Sequence, residues 1–238
     1  MYHMISSHKK NAKFNGLRVD PIEFEKQIKY LVENNWIFFT MSQLIEKKDN
    51  LPKKSIAITF DDGYEDNFTN AFPILKKYNA KATIYIVVDR HDREWSSKRK
   101  EKNSTGELKN EPKLLDEQIV QLIDSGLVEI GSHTMRHDNL PTLSIEDKIV
   151  EIRDSKTKIE EKFKIKCSSF CYPFGLYDKE DVKIVKEFGY TNATITKKGI
   201  DDLSKSDLFE LKRITVSGKD NLIAFKIKLK RGLRGLNK

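Results

Sequence analysis

No run among the 238 residues approaches the ~20 consecutive apolar side chains that a membrane-spanning helix needs. Cysteine is nearly absent. Cys167 and Cys171 are the two in the chain, four apart in an apolar stretch. They are too few for a disulfide framework and lack the partners of a zinc ribbon, so they read as buried free thiols. Were their segment a strand, both would point to one face, too far apart along it for easy bridging. Met1-Tyr2-His3 leads straight into a folded-looking pattern, with no basic start and apolar run of a secretory leader. The expected location is therefore cytoplasmic or peripheral unless a leader was removed. No glycine-rich phosphate fingerprint follows any predicted strand, which counts against a nucleotide-binding sheet. Internal repeats and low-complexity tracts are also missing.

Charge is plentiful. Lys and Arg number 44 against 36 Asp and Glu, a net charge of +8, and charged residues make up 34% of the chain. The lysines are scattered, and much of the excess falls in 226–238. That pattern reads as a solvated lysine-rich surface, with a nucleic-acid or anionic membrane partner as the lesser alternative. Hydrophobic content is 38%, and aromatic and branched residues recur throughout, which argues for a packed core.

Strand-like and helix-like segments alternate along most of the chain. Asp20-Pro21-Ile22-Glu23 places an N-cap, a proline at the first helical position and a capping-box glutamate ahead of Phe24, Ile28 and Leu31. Thr40 and Gln43 repeat the capping box after the short apolar run 36–39. Strands are expected over 55–60, 81–88, 127–130, 168–172, 190–196 and 211–216. Helices are expected over 67–78, 116–125, 144–163, 178–188 and 220–230, the last a basic amphipathic cap with the tail to 238. Residues 89–113 read as a long polar loop insertion that Trp95 packs down. The order suits one parallel α/β domain over 1–238, as an open doubly wound sheet or a barrel.

Active sites of α/β folds gather at the carboxyl ends of strands. Three predicted strands end in suggestive residues: Asp61-Asp62, then His133 with His137, then Tyr172-Pro173-Phe174-Gly175. Two imidazoles and one carboxylate give a divalent metal three ligands and leave a position for water. The second carboxylate of the aspartate pair is then available as a base. Each feature has a blander reading. Adjacent aspartates often cap a turn, and a His-x-x-x-His pair in a loop is often incidental. Spacing by itself does not establish that they converge.

Thr59-Phe60-Asp61-Asp62-Gly63 and Ser132-His133-Thr134-Met135-Arg136-His137-Asp138-Asn139-Leu140 resemble the first two motifs of the polysaccharide deacetylases, the NodB-homology or carbohydrate esterase family 4 enzymes. The resemblance runs from about residue 1 to 216. It is nearest to the branch that deacetylates poly-β-1,6-N-acetylglucosamine, through Tyr2-His3, the helix 21–34, Asp-Asp-Gly-Tyr, Tyr-Pro-Phe-Gly and Arg213-Ile214-Thr215-Val216. It implies a distorted (β/α)7 barrel and hydrolysis of N-acetyl groups from an amino-sugar glycan. Asp61 would be the general base, and Asp62, His133 and His137 the metal ligands. His3 would be the general acid, the Phe174 backbone N–H an oxyanion donor, and Tyr172 part of the oxyanion and substrate region. Zinc is the default metal, with cobalt, nickel or iron suiting the same ligands.

The implied roles suit the chemistry. An amide needs its carbonyl polarised and its water activated, and its nitrogen must be protonated to leave, a task for an imidazole near neutrality. One departure stands out. Most of the family carries an arginine, paired with the base, where this chain has Cys171, and Arg213 is the candidate replacement. A glycan-binding protein that kept the fold and lost turnover is the alternative reading. The sequence does not choose among glycans or fix an oligomeric state.

Overall fold

The computed structural model describes residues 1–93 and 106–232. Among them, six strands form one parallel sheet in sequential order: β3 (Ile37–Phe39), β4 (Ser55–Phe60), β5 (Ala82–Ile86), β6 (Val128–Ser132), β7 (Ser169–Cys171) and β8 (Asn192–Thr194). Two short strands, β1 (Met4–Ile5) and β2 (Arg18–Val19), pair separately. Helices α1 (Pro21–Glu33), α2 (Met41–Glu46), α3 (Phe72–Lys77), α4 (Asp116–Asp124), α5 (Ile145–Ile149), α6 (Ser155–Phe163), α7 (Lys179–Glu187) and α8 (Leu222–Arg231) fill most of the connections. Asp20 caps α1 by accepting from Ile22 N–H, but Glu23 pairs with Lys26 and does not close the expected capping box; Thr40 and Gln43 close theirs.

Alternation along the strands builds two different faces. Ile58, Phe60, Ile84, Ile86, Ile130, Phe170 and Ala193 face the helices in the large core. The intervening residues line the concave side and are mostly polar or small. Near its amino end, Glu129 accepts from Ser42 N–H and from the hydroxyls of Thr83 and Ser169. Above them Tyr85, Cys171 and Leu211 pack together. Gly131 is obligatory there, because a Cβ would lie 2.6 Å from the Tyr85 ring and 2.9 Å from the Ser169 carbonyl.

The fold is a distorted (β/α)7 barrel in which six strands curl and irregular backbone supplies the remaining side. Tyr2 bridges Phe60 beyond the point where β3 ends, donating to Thr59 O and accepting from Asp61 N–H. On the opposite edge Leu211 bridges Thr194, and Val216 N–H reaches Met1 O. The segment 211–216 is thus not the regular strand expected. Past Leu211 the Arg213 side chain takes Ile195 O through Nε, an acceptor a strand ladder would use, and Arg213 N–H goes on to Lys197 O.

Two predicted helices are interrupted by π turns, which insert a residue and often mark functional sites. One, Asn67–Ala71, precedes α3 and turns Asn67 and Asn70 toward the carbonyls of His3 and Ile5. The other, Val150–Asp154, splits the expected 144–163 helix and carries the buried Glu151. Strands 190–196 and 168–172 are shorter than expected, and Cys167 precedes β7. It therefore joins the large core while Cys171 lies on the concave side; both thiols are free. Trp95 and the tail beyond 232 lie outside the described residues. No helix among the described residues is long and apolar enough to cross a membrane.

Asp66, beside the Asn67 turn, gives a pH test of this packing. Burial pushes its carboxyl from 3.8 up to about 6, against the Ile5 backbone hydrogen bond. The folded state therefore holds a proton that the unfolded chain has released, and stability falls as pH rises from about 4 to about 6. Asp66→Asn should remove that slope and gain at most about 3 kcal/mol above pH 7. Urea denaturation of both proteins from pH 4 to 8 reads the difference; parallel curves would contradict it.

Candidate active site and metal centre

The carboxyl ends of β4, β6 and β7 bring the sequence-selected residues together. His133 Nε2 lies 3.4 Å and His137 Nε2 3.3 Å from Asp62 Oδ1. A tetrahedral ion with bonds of about 2.1 Å holds its ligand atoms about 3.4 Å apart, so the trio fits a zinc-type centre. His133 Nδ1 lies 2.7 Å from Cys171 O, which places its proton on Nδ1 and turns Nε2 toward Asp62. Burial lowers the pKa of His137, favouring the neutral imidazole a metal requires. Burial would raise Asp62, but hydrogen bonds from both histidines hold it well below the usual carboxylate range.

Asp61 faces the other way. Arg213 grips it with two parallel bonds, Nη1 to Oδ1 at 2.6 Å and Nη2 to Oδ2 at 2.8 Å. Burial again works against the charge, and the guanidinium outweighs it, so Asp61 stays ionised. Cys171 Sγ sits 3.2 Å from Arg213 Nη2 and 3.7 Å from Asp61 Oδ2. Asp61, His133 and Cys171 also lie close enough to hold an ion. Both Asp61 and the thiol are already engaged by Arg213, which leaves the Asp62 trio the better cation site.

His3 is partly buried. Its backbone is held by the Tyr2 bridge on one side and by Asn67 Nδ2, 2.7 Å from His3 O, on the other. The Phe174 and His137 rings meet edge to face, at 4.5 Å between centroids. Tyr172 is placed differently from expectation. Strand alternation sends its neighbour Cys171 inward and Tyr172 outward, where it is fully buried between Phe170 and Tyr177. Its phenol belongs to the core and does not reach the site.

Backbone strain is concentrated here. Asp62, Thr134, His137 and Phe174 all have φ between +59° and +75°, the left-handed region that non-glycine residues seldom adopt. Local hydrogen bonds fix the second motif in that shape: Thr134 N–H to Ser132 Oγ, and His137 N–H to Thr134 Oγ1. Glu151 completes the frame, accepting from Arg136 N–H at 2.9 Å and Arg136 Nε at 2.7 Å. Sequence reading missed Glu151, which belongs to no motif and lies off the apolar stripe of the predicted helix.

A family model for polysaccharide deacetylases matches residues 48–193. The chain belongs to the polysaccharide deacetylase family. YxkH of Bacillus subtilis (strain 168) is 33% identical to this polysaccharide deacetylase-family protein over 220 residues, covering 91% of the chain and 70% of its relative. The poly-beta-1,6-N-acetyl-D-glucosamine N-deacetylase of Staphylococcus aureus (strain N315) is 30% identical over 192 residues; the match covers 75% of this chain and 61% of that protein. Among solved structures, the Bacillus cereus polysaccharide deacetylase BC0361 superposes with TM-score 0.78 at 29% identity, over 94% of this chain and 66% of that one. The Streptococcus pyogenes deacetylase PplD, at 24% identity, shares the fold with TM-score 0.79 across 97% of this chain and 95% of its own.

The Arg213–Asp61 pair gives a stability test. Arg213→Met leaves a buried carboxylate unpaired and should cost about 3–5 kcal/mol. Arg213→Lys keeps the charge but not the planar fork, and should recover only part of the loss. Chemical denaturation measures both, and an Arg213→Met protein as stable as wild type would contradict the pairing.

Proposed function

We propose that this protein is a metal-dependent hydrolase that removes N-acetyl groups from an N-acetylated amino-sugar glycan and releases acetate. The observation that carries the reading is the Asp62, His133 and His137 trio at ligand spacing, beside a second aspartate held ionised by Arg213. Asp62, His133 and His137 would hold a divalent ion, zinc by default, and the ion when bound would polarise the acetamide carbonyl and acidify the attacking water.

The other steps fall to the protein's own groups. Asp61 takes the proton as water attacks the carbonyl carbon, with Arg213 fixing its two oxygens and keeping it a carboxylate. The backbone N–H of Phe174, set by its left-handed turn, donates to the negative oxygen that develops; such a donor is worth about 3 kcal/mol. His3 protonates the departing nitrogen as the C–N bond breaks, giving acetate and a free amino sugar. The permuted source of the acid, at the start of the chain, is compatible with the anchoring of its backbone to β4 and Asn67.

The reading of a glycan-binding protein without turnover drew on the arginine missing at position 171. Arg213 paired to Asp61 removes that support. The named Staphylococcus aureus relatives favour a β-1,6-linked N-acetylglucosamine polymer as substrate; chitin and peptidoglycan fragments carry the same acetamide.

Acetate release from N-acetylated β-1,6-glucosamine, chitin and peptidoglycan fragments is the direct assay. Activity should vanish with a chelator and return with Zn2+ or Co2+. Asp61→Asn and His3→Gln should each lower kcat at least about 100-fold while bound metal stays stoichiometric. Arg213→Met should depress kcat and retain metal. Full turnover in the chelated protein, or no acetate from any of the three glycans, would overturn the proposal.

A further inference from the structure

The π turn between α5 and α6 carries a buried acid that the deacetylation chemistry leaves unused. Its extra residue rotates the helix that follows by about 100° relative to the one before. Glu151, on that turn, is 0% exposed. It accepts three hydrogen bonds from one short stretch of the second motif. Oε2 takes Arg136 N–H at 2.9 Å, Oε1 takes Arg136 Nε at 2.7 Å, and the backbone oxygen takes Met135 N–H at 3.2 Å. A buried carboxylate is tolerable only with a counter-charge and filled acceptors, and the Arg136 side chain supplies both from a position 36% exposed.

One turn further on, Ser155 reaches the same loop. Its Oγ lies 2.8 Å from Ser132 Oγ, which in turn accepts from Thr134 N–H. The chain from β6 to the second imidazole is thus tied at 132, 135 and 136, on both sides of His133 and immediately before His137. Two positions in that stretch, Thr134 and His137, are left-handed at φ 71° and 64°. Such backbone costs about 1–3 kcal/mol and persists only where its surroundings enforce it. From this loop His137 Nε2 comes to 3.3 Å from Asp62 Oδ1, so the shape of the loop sets the spacing of the ligand trio.

We propose that Glu151 is a positioning residue for the metal centre: by gripping Met135 and Arg136 from the π turn, it holds the left-handed loop in the shape that keeps His137 at ligating distance. The inference rests on the metal-centre reading above and adds a residue outside the ligand set. Groups that orient ligands from outside typically change metal affinity about 10–100-fold. A role confined to fold stability makes a different demand, because any loosening of the π turn would then act on Tm and on metal affinity alike.

The test uses the full chain. Zn2+ affinity is measured by chelator competition, Tm on the metal-free protein, and the visible spectrum on protein loaded with Co2+. Glu151→Gln keeps the side-chain volume and one acceptor oxygen but removes the charge that pairs with Arg136; it should bind Zn2+ at least about 10-fold more weakly and shift the Co2+ bands. Glu151→Asp, which keeps the charge and shortens the reach, gives the same readout if Glu151→Gln does not fold. Ile152→Val loosens the core beneath the same π turn and leaves the grip intact; it should lower the Tm and keep Zn2+ affinity near wild type. Equal affinity and spectra for the Glu151 variant and wild type would overturn the inference and leave the deacetylase reading standing. So would an Ile152→Val protein that loses as much affinity as the Glu151 variant. A wild type that binds neither metal would overturn both.

Discussion

Much of this structure turns on one ion pair. Arg213 enters from the edge of the sheet opposite β4, and its guanidinium meets both oxygens of Asp61 at the end of that strand. The pair is buried on both sides, so its desolvation is tolerable only because the geometry is two-pronged and the remaining donors are used. Nε takes Ile195 O, and Nη2 also meets Cys171 Sγ. One side chain thus breaks the ladder of 211–216, joins the two edges of an incomplete barrel, and sets the charge of an aspartate beside the metal-type trio. The same guanidinium lies 5.8 Å from the Tyr85 ring, whose close packing in turn requires glycine at 131.

The helices and the buried strands were legible because their signals are local. Asp20 and Thr40 cap the helices they precede, and apart from Ser132 the outward residues of β4 to β8 are apolar. The aspartate pair and the two histidines were legible as motifs at strand ends. Their convergence was not, since 3.3 Å between His137 and Asp62 depends on left-handed turns at three non-glycine residues, Asp62, Thr134 and His137, that no propensity announces. The π turns were equally silent: 144–163 has a continuous helical period, and the extra residue that brings in Glu151 shows only in the hydrogen bonding. Tyr172 was misplaced because the motif groups it with Phe174, while alternation puts it on the other face of the sheet. The segment 211–216 read as a strand because its side chains alternate; the Arg213 side chain diverts its hydrogen bonds.

Left-handed backbone at Asp62, Thr134, His137 and Phe174 is retained against a cost of order 1–3 kcal/mol each. The surrounding hydrogen bonds carry that cost, Ser132 and Thr134 through their hydroxyls and Glu151 through Arg136, while Asn67 separately anchors His3. Residues that never approach a substrate therefore decide how well the site is formed. Substitutions at Glu151 or Asn67 belong with the site for that reason, although neither carries a motif.

The span of the closing contacts has a consequence for biosynthesis. Asp61 and Arg213 are separated by 152 positions, and Tyr2 waits for β4 before its bridge can form. During translation the first helices can collapse onto the early strands while the carboxylate between them still lacks its counter-charge. The carboxylate gains its counter-charge only after Arg213 has emerged and docked at the end of β4. A chain cut before Arg213 therefore leaves that buried carboxylate without its counter-charge.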